Sequence, residues 1–354
     1  MSDALDGSRR SSDSTRPRIA VVGVGHFGRH HARILSTLPG ALLVAVVDID
    51  ADRAAAAAAE TGAAPETDVS ALDGRVDAVT LAVPTESHHA VALPLLERGV
   101  SVLVEKPMAR SVAEADALIA AAEASGAVLA VGHTERYNPA VAVALPLVRA
   151  PRFIEVHRMG SFSARSLDVD VVFDVMIHDL DIILTTVGAE VATIEAVGVP
   201  VLTDRVDIAN ARLRFTSGCI ANLTASRISR DRVRKLRFFQ QDAYISVDCA
   251  EQEVEGWRVT RTPGCEPTIA GGKLDVPRGE PLERELEDFV RAVAGGGPPR
   301  VGGADGRRAL ALAHRVADAM ESGRDEIPKE TADRSLFDRL RVDGAQGRQD
   351  TGDA

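Results

Sequence analysis

Apolar residues follow two rhythms along the first 140 positions. Short, mostly apolar runs at 19–22, 42–47, 76–83, 100–104 and 127–131 have the length of buried strands. Between them the apolar positions return at helical spacing, which predicts helices from the glycine-rich turn to about residue 38, over 51–60, over 86–98 and from 111 to 125. Gly62, Gly99 and Gly126 stand at the C′ positions where helices stop. Ser111 with Glu114 three residues later forms a capping box. Strands alternating with helices predict βαβ units and a parallel sheet.

Past Asn138-Pro139, a pair suited to capping and starting a helix, the rhythm changes. A strand is expected at 153–159 and a helix at 174–187, ended by Gly188. Strand-like runs at 191–199, 206–215, 219–227, 233–239, 243–248 and 253–260 then follow without helices between them. Ser217-Gly218 is a hairpin signal. Consecutive strands favour antiparallel pairing, so this half is expected to be α+β. Two late helices, about 281–294 and 304–322, are expected to close it. The expected division is a polar mobile end at 1–16, a first domain at 17–139, a second at 140–330, and a second mobile end at 343–354.

At 45% hydrophobic and 26% charged, the 354-residue chain has a globular composition. Aromatics are only 3%, so the core must be aliphatic. No apolar run reaches a membrane span and the N-terminus lacks a secretory h-region, which leads us to expect a cytoplasmic protein with no membrane partner. Cys219, Cys249 and Cys265 show neither disulfide nor zinc-ribbon spacing. The net charge of −11 disfavours nucleic acid as a partner. The acidity is spread along the chain, with 12 Lys+Arg against 18 Asp+Glu over 1–140 and 29 against 34 beyond. One stretch opposes it: Arg227, Arg230, Arg232, Arg234, Lys235 and Arg237 face only Asp231 in sequence.

Gly23-Val-Gly25-His26-Phe27-Gly28 lies between the first strand and the first helix. There the first glycine permits the tight turn, the second lets a pyrophosphate approach the backbone, and the third lets helix and strand pack closely. The helix N-terminus then faces the phosphates. Asp48 ends the second strand, 20 residues beyond Gly28, where a carboxylate accepts from the adenosine ribose 2′-OH. Asp48, Asp50 and Asp52 would repel a 2′-phosphate, with Arg53 alone opposing them, so NAD is expected over NADP.

Lys106 follows the strand 100–104 and points to the crevice beyond the strand ends. Beside a cationic nicotinamide its pKa would fall, making it a proton donor or acceptor; a solvated loop lysine is the other reading. Asp174, His178 and Asp181 lie at i, i+4 and i+7, one face of an α-helix. An imidazole flanked by carboxylates can relay the proton of an alcohol. It could also ligate a metal, but no second ligand cluster accompanies it, and no metal is expected.

These features, in this order, resemble the glucose–fructose oxidoreductase/inositol dehydrogenase (Gfo/Idh/MocA) family, from about Arg18 to Met320. The resemblance rests on GVGHFG, Val83-Pro84-Thr85 with His88, Glu105-Lys106-Pro107, and D-x3-H-x2-D at 174–181. It implies an α/β Rossmann domain and an α+β C-terminal domain whose open-faced, largely antiparallel sheet makes a homo-oligomer, a dimer or tetramer. It implies Lys106 and His178 as the catalytic pair, with Asp174 as their substrate-binding partner. Pro84, Thr85 and His88 would border the cofactor, as would His26 and Phe27 in the loop, and Glu105 would contact the nicotinamide end. Within the family, residues 132–139 and 174–181 look like a bacterial branch similar to UDP-N-acetylglucosamine 3-dehydrogenases. That implies oxidation of a sugar-nucleotide 3-hydroxyl on a route to amino sugars for lipid A precursors. Arg136 is then a candidate substrate ligand. The basic run 227–237 offers donors for a diphosphate, or else forms a solvated strand face or interface. A free-sugar or inositol dehydrogenase and a non-catalytic NAD- and sugar-sensing regulator are the alternatives.

Overall fold

The structure, a computed structural model, describes residues 16–161 and 169–324. The expected mobile ends lie outside these residues apart from Arg16.

The first sheet is parallel, with β1 Arg18–Val22, β2 Leu42–Val47, β3 Ala64–Glu66, β4 Ala78–Leu81, β5 Ser101–Glu105 and β6 Leu129–Gly132 in the order 3-2-1-4-5-6. Four helices connect them: α1 Gly28–Thr37, α2 Ala51–Thr61, α3 Thr85–Glu97 and α4 Val112–Ser125. Side chains of β1 alternate between two apolar layers. Ile19 and Val21 join α1 and α2 residues such as Ile34 and Ala57. Ala20 and Val22 join α3 and α4 residues such as Leu95 and Leu118. Both faces are covered, which explains why the central strands are mostly apolar rather than alternating in sequence. Local signals set the helix ends: Ser111 Oγ accepts from Glu114 N at 3.2 Å, and Gly62 and Gly126 cap in the left-handed region, at φ 76° and 74°.

Asn138 caps α5 Pro139–Ala144, as its spacing predicts. The second sheet runs through β7 Phe153–Met159, β8 Val191–Val199, β9 Ile208–Phe215, β10 Ile220–Ser226, β11 Val233–Phe239, β12 Ala243–Asp248, β13 Glu253–Thr260 and β14 Thr268–Lys273. Its order is 14-13-12-11-7-10-9-8, antiparallel except where β7 pairs with β10. In β9, Ala209, Ala211 and Leu213 turn into the core while Asn210, Arg212 and Arg214 stay exposed, so one face is covered and the other open. The sequence pattern misses β14, a glycine-containing and mostly exposed edge strand with no buried rhythm to betray it.

Three helices complete the described chain: α6 Ile177–Val187, α7 Pro281–Val293 and α8 Gly303–Arg324. The late helices do not simply close the second domain. Leu286, Phe289 and Val290 of α7 pack with Ile19, Val21 and Leu35 in the first. Phe289 is buried, worth roughly 1.5–3 kcal/mol relative to exposure. Helix α8 serves both cores, giving Leu310 to the first and Leu312, Ala313 and Val316 to the second. Their i, i+3, i+4 spacing is real, but the layer each helix meets is set by distant residues. Among the described residues no helix is long and apolar enough to cross a membrane.

Candidate active site

In the first sheet the strand order reverses between β1 and β4, so a crevice opens at their carboxyl ends. The glycine loop fills one side of it. Gly23 has φ 82°, and a Cβ there would sit 2.7 Å from the Ala82 carbonyl oxygen. A Cβ on Gly28 would sit 1.7 Å from the Gly23 oxygen, whereas one on Gly25 would meet nothing within 4 Å. The outer glycines are therefore required by packing and the middle one leaves the backbone accessible. No side chain caps α1 and its first turn carries no acidic residue, so its N–H groups suit an anion. His26 and Phe27 flank this end, their rings edge-on at 5.3 Å.

Asp48 is buried at the end of β2, where Oδ2 accepts from Val24 N at 3.0 Å and so ties β2 to the loop. Oδ1 accepts from Asp50 N and from the half-exposed Arg53. Burial raises the Asp48 pKa, but these donors outweigh it and hold the carboxyl below its usual range. The acidic trio does not act as one unit. Asp50 caps α2 and pairs with Arg53, and Asp48 alone faces the loop. Loop, helix end and carboxylate together fit a dinucleotide.

The crevice continues into a cavity of about 210 Å³. Six residues singled out in sequence line it together: Phe27, Pro84, Thr85, Glu105, Lys106 and Asp174. Val169 and Phe173 complete the wall from the second domain, with no sequence signal beyond their neighbour Asp174. Lys106 Nζ donates to the Asp174 carbonyl at 2.6 Å and to its Oδ1 at 3.0 Å, joining the two domains. His88 does not touch this space. It is buried, its ring nitrogens 2.9 Å from the Pro107 carbonyl and 3.0 Å from that of Val83, so it clamps the two loops that border the cavity. Glu105 Oε1 lies 3.1 Å from His31 Nε2. Burial pushes its pKa up, but His31 and Lys106 hold the carboxyl below the usual range. His31, in the middle of α1, carries no sequence signal.

Asp174, His178 and Asp181, expected on one helical face, do not bond one another. Residues Val172–Met176 make a π turn before α6 begins. Such π turns are common at functional sites. Asp174 turns to Lys106, while Asp181 is buried against Arg136 at 3.2 Å. No described carboxylate bonds His178, whose Nδ1 is buried without a partner, and the ring is not a wall of the cavity. Burial, with Lys106 and Arg158, holds its pKa well below the ordinary imidazole value.

One expectation for a substrate contact is corrected. Arg136 is buried, its guanidinium taken up by Asp181, Thr185 and the Arg300 carbonyl, so it braces the interior. Four of the six residues of the basic run are paired: Arg227 is buried on Asp207, Arg234 meets Glu135, Lys235 pairs with Asp248 and Arg237 with Glu155. Arg230, Arg232 and Arg234 keep exposed or half-buried positions. A second buried group escaped sequence reasoning altogether. Arg158 holds Asp179 with two bonds of 2.8 Å and Glu135 at 2.7 Å, joining β7, α6 and the turn after β6. Among the described residues no cluster of His, Cys, Asp and Glu could hold a metal ion.

Comparison with known proteins agrees with this geometry. Residues 17–133 match the oxidoreductase family with the NAD-binding Rossmann fold, and 148–246 match the GFO/IDH/MocA C-terminal domain. The chain is 41% identical over 309 residues to UDP-N-acetylglucosamine 3-dehydrogenase of Acidithiobacillus ferrooxidans, covering 86% of this chain and 97% of that protein. A solved structure of that enzyme superimposes with TM-score 0.81 over 87% of this chain and 98% of its own, at 40% identity. The scyllo-inositol 2-dehydrogenase (NAD(+)) of Bacillus subtilis is 31% identical over 232 residues, 60% of this chain and 68% of that enzyme. Levoglucosan dehydrogenase with NADH and levoglucosan shares the fold, with TM-score 0.76 and 20% identity over 87% of this chain and 98% of that one. The chain belongs to the Gfo/Idh/MocA family and is an NAD-dependent oxidoreductase acting on the CH–OH groups of sugars.

Proposed function

We propose that the protein oxidises the 3-hydroxyl of UDP-N-acetylglucosamine to a ketone. The observation that carries this reading is the 41% identity to the Acidithiobacillus enzyme across nearly the full length of both chains. The exposed Arg230 and Arg232 support a diphosphate-bearing substrate, since arginine forks suit phosphate oxygens. The open face of the second sheet is the surface through which we infer self-association.

The loop 23–28 and Asp48 would hold NAD, with Glu105, Pro84 and Thr85 toward its reactive end. Bound NAD supplies the acceptor for the hydrogen that leaves the sugar carbon with its electron pair. The chain's own residues handle the oxygen. Lys106, anchored by Asp174, donates to the sugar oxygen and steadies its developing negative charge. His178, outside the cavity wall before substrate binds and held neutral by burial and neighbouring cations, accepts the hydroxyl proton once the sugar is seated. Asp174 thus orients Lys106 rather than both groups. Because burial and neighbouring cations hold the His178 pKa well below the ordinary imidazole range, turnover should persist into mildly acidic pH.

NADH formation followed by absorbance across UDP-N-acetylglucosamine, other UDP-sugars, inositols and free sugars tests the assignment. Turnover of the sugar nucleotide with a 3-keto product supports it. Preferred turnover of inositol or a free sugar replaces the substrate, and cofactor binding without turnover on any alcohol replaces the enzyme with a sensor.

A further inference from the structure

Buried polar atoms almost always find a partner, so clustered exceptions point to function. Among the described residues, six buried side-chain atoms have none, and three of them belong to two rings: Nδ1 and Nε2 of His133 and Nδ1 of His178. The rings meet edge-on, their centroids 5.9 Å apart and their planes at 88°. His133 follows β6, and the pairing of Glu105 with Gly132 sets it beside Lys106 at the end of the neighbouring strand. The catalytic strand ends therefore carry a second histidine that the mechanism above leaves unused.

The surroundings limit what these rings can do. Every carboxylate of the D-x3-H-x2-D helix is engaged elsewhere: Asp174 with Lys106, Asp179 with Arg158 and Asp181 with Arg136. His178 feels Lys106, Arg158, His133 and Arg234, all disfavouring its protonation. His133 is buried among Asp181 and Glu105, which favour its protonation, and Arg136 and Lys106, which oppose it. Burial is the largest influence on both, and both have lowered pKa values. A neutral imidazole has one N–H and one lone-pair nitrogen, so two such rings can share a single proton. Catalytic hydrogen bonds are often long without substrate and tighten once it binds.

We propose that His133 is a positioning residue for His178: when His178 takes the hydroxyl proton on one ring nitrogen, its Nδ1–H donates to a nitrogen of His133. This rests on the reading of His178 as the proton acceptor. His133 then does the work that a carboxylate does behind the histidine of a catalytic triad, without adding a charge to the pocket. The proton from the hydroxyl resides on the imidazole pair until released, and no electrons move between the rings.

The test uses the full chain and its cofactor with His133→Phe, which removes the acceptor but keeps an aromatic ring, and His133→Asn, which restores an acceptor. Losing one hydrogen bond to the imidazolium should lower the His178 pKa by about one unit. The acid limb of kcat should therefore move to lower pH in His133→Phe and kcat should fall about 10-fold. KM for NAD should stay within about twofold, and His133→Asn should recover most of both effects. Nitrogen-15 histidine NMR of the labelled protein with NADH reads the His178 titration directly, whether or not the chosen sugar is a substrate. An unmoved limb and titration in His133→Phe would overturn the proposal. So would a shift to higher pH, which would make His133 a mere source of repulsion. If His133→Phe does not fold, His133→Asn against His133→Gln carries the same NMR comparison. His178→Asn with full turnover would instead sink the role of His178, separately from the pairing of the rings.

Discussion

Two regions of the site are built in opposite ways. The glycine loop is a backbone site, in which the outer glycines fit because nothing larger can, and one carboxylate bonds the loop from the next strand. The entrance to α6 is a side-chain site, in which each acidic residue is claimed by a cation from a different part of the chain: Lys106, Arg158 or Arg136. The first kind is encoded by neighbours in sequence, the second by a network that exists only once the chain is folded. The difference teaches that regular spacing fixes a backbone conformation better than it fixes what a charged side chain will touch.

Four measurements would break or sharpen that contrast. The largest effect is expected on the side-chain side. Lys106→Met should lower kcat by about a thousandfold, because donor and charge vanish where the oxyanion develops. NADH affinity, read by fluorescence titration, should stay within about twofold; near-normal turnover would remove Lys106 from the chemistry.

The glycines come next. Gly28→Ala forces a Cβ into the Gly23 carbonyl, so NADH affinity should fall about 100-fold together with Tm. Gly25→Ala has open space, so Tm should hold while the NADH Kd rises about tenfold, since the methyl stands where phosphate approaches. Unchanged affinity in Gly25→Ala would show that phosphate binds elsewhere.

A smaller effect is expected at Asp48, which already bonds Val24 N and Arg53. Asp48→Ala should raise KM for NAD and narrow the NAD/NADP gap about tenfold, leaving Arg53 free for a 2′-phosphate. Parallel kinetics with both cofactors would show an unchanged gap if Asp48 has no part in the selection.

The smallest effect concerns Glu285, fully buried on α7 with one oxygen accepting from Thr134 at 3.0 Å. Burial and the nearby Glu105 raise its pKa well above the usual 4.5. The folded state therefore keeps a proton that the unfolded chain releases from about pH 4.5 upward, and stability from this group declines as pH rises. Glu285→Gln stays neutral, so its Tm relative to wild type should improve between pH 5 and pH 8. A constant difference would show Glu285 ionised in the fold.

Much of this site is visible in the sequence, for local reasons. GVGHFG, Asp48 and Lys106 sit at strand ends, and a parallel sheet brings strand ends to one edge whatever the details of its helices. The loop Val83–Thr85 arrives with them. Arg136 misleads, and the partners of the basic run stay hidden, because a charge in sequence does not disclose its partner: Asp181 is 45 positions from Arg136, and Asp207 is 20 from Arg227. His31, Glu285 and the Arg158 cluster are invisible for the same reason. His133 stands in a stretch that marks the family branch, yet only the ring facing it shows why a histidine stands there.

The sequence by itself determined the alternation of strands and helices, the change to consecutive strands after Pro139 and the dinucleotide loop. Each is written in periodicity or in contiguous residues, where backbone geometry leaves few choices. Only the tertiary structure decided that α7 returns to the first domain, that a π turn containing Asp174 leads into α6, and that three carboxylates on one short segment serve three different cations. Burial makes an unpaired charge so costly that each must find a partner across the fold, and that search is settled by packing rather than by spacing.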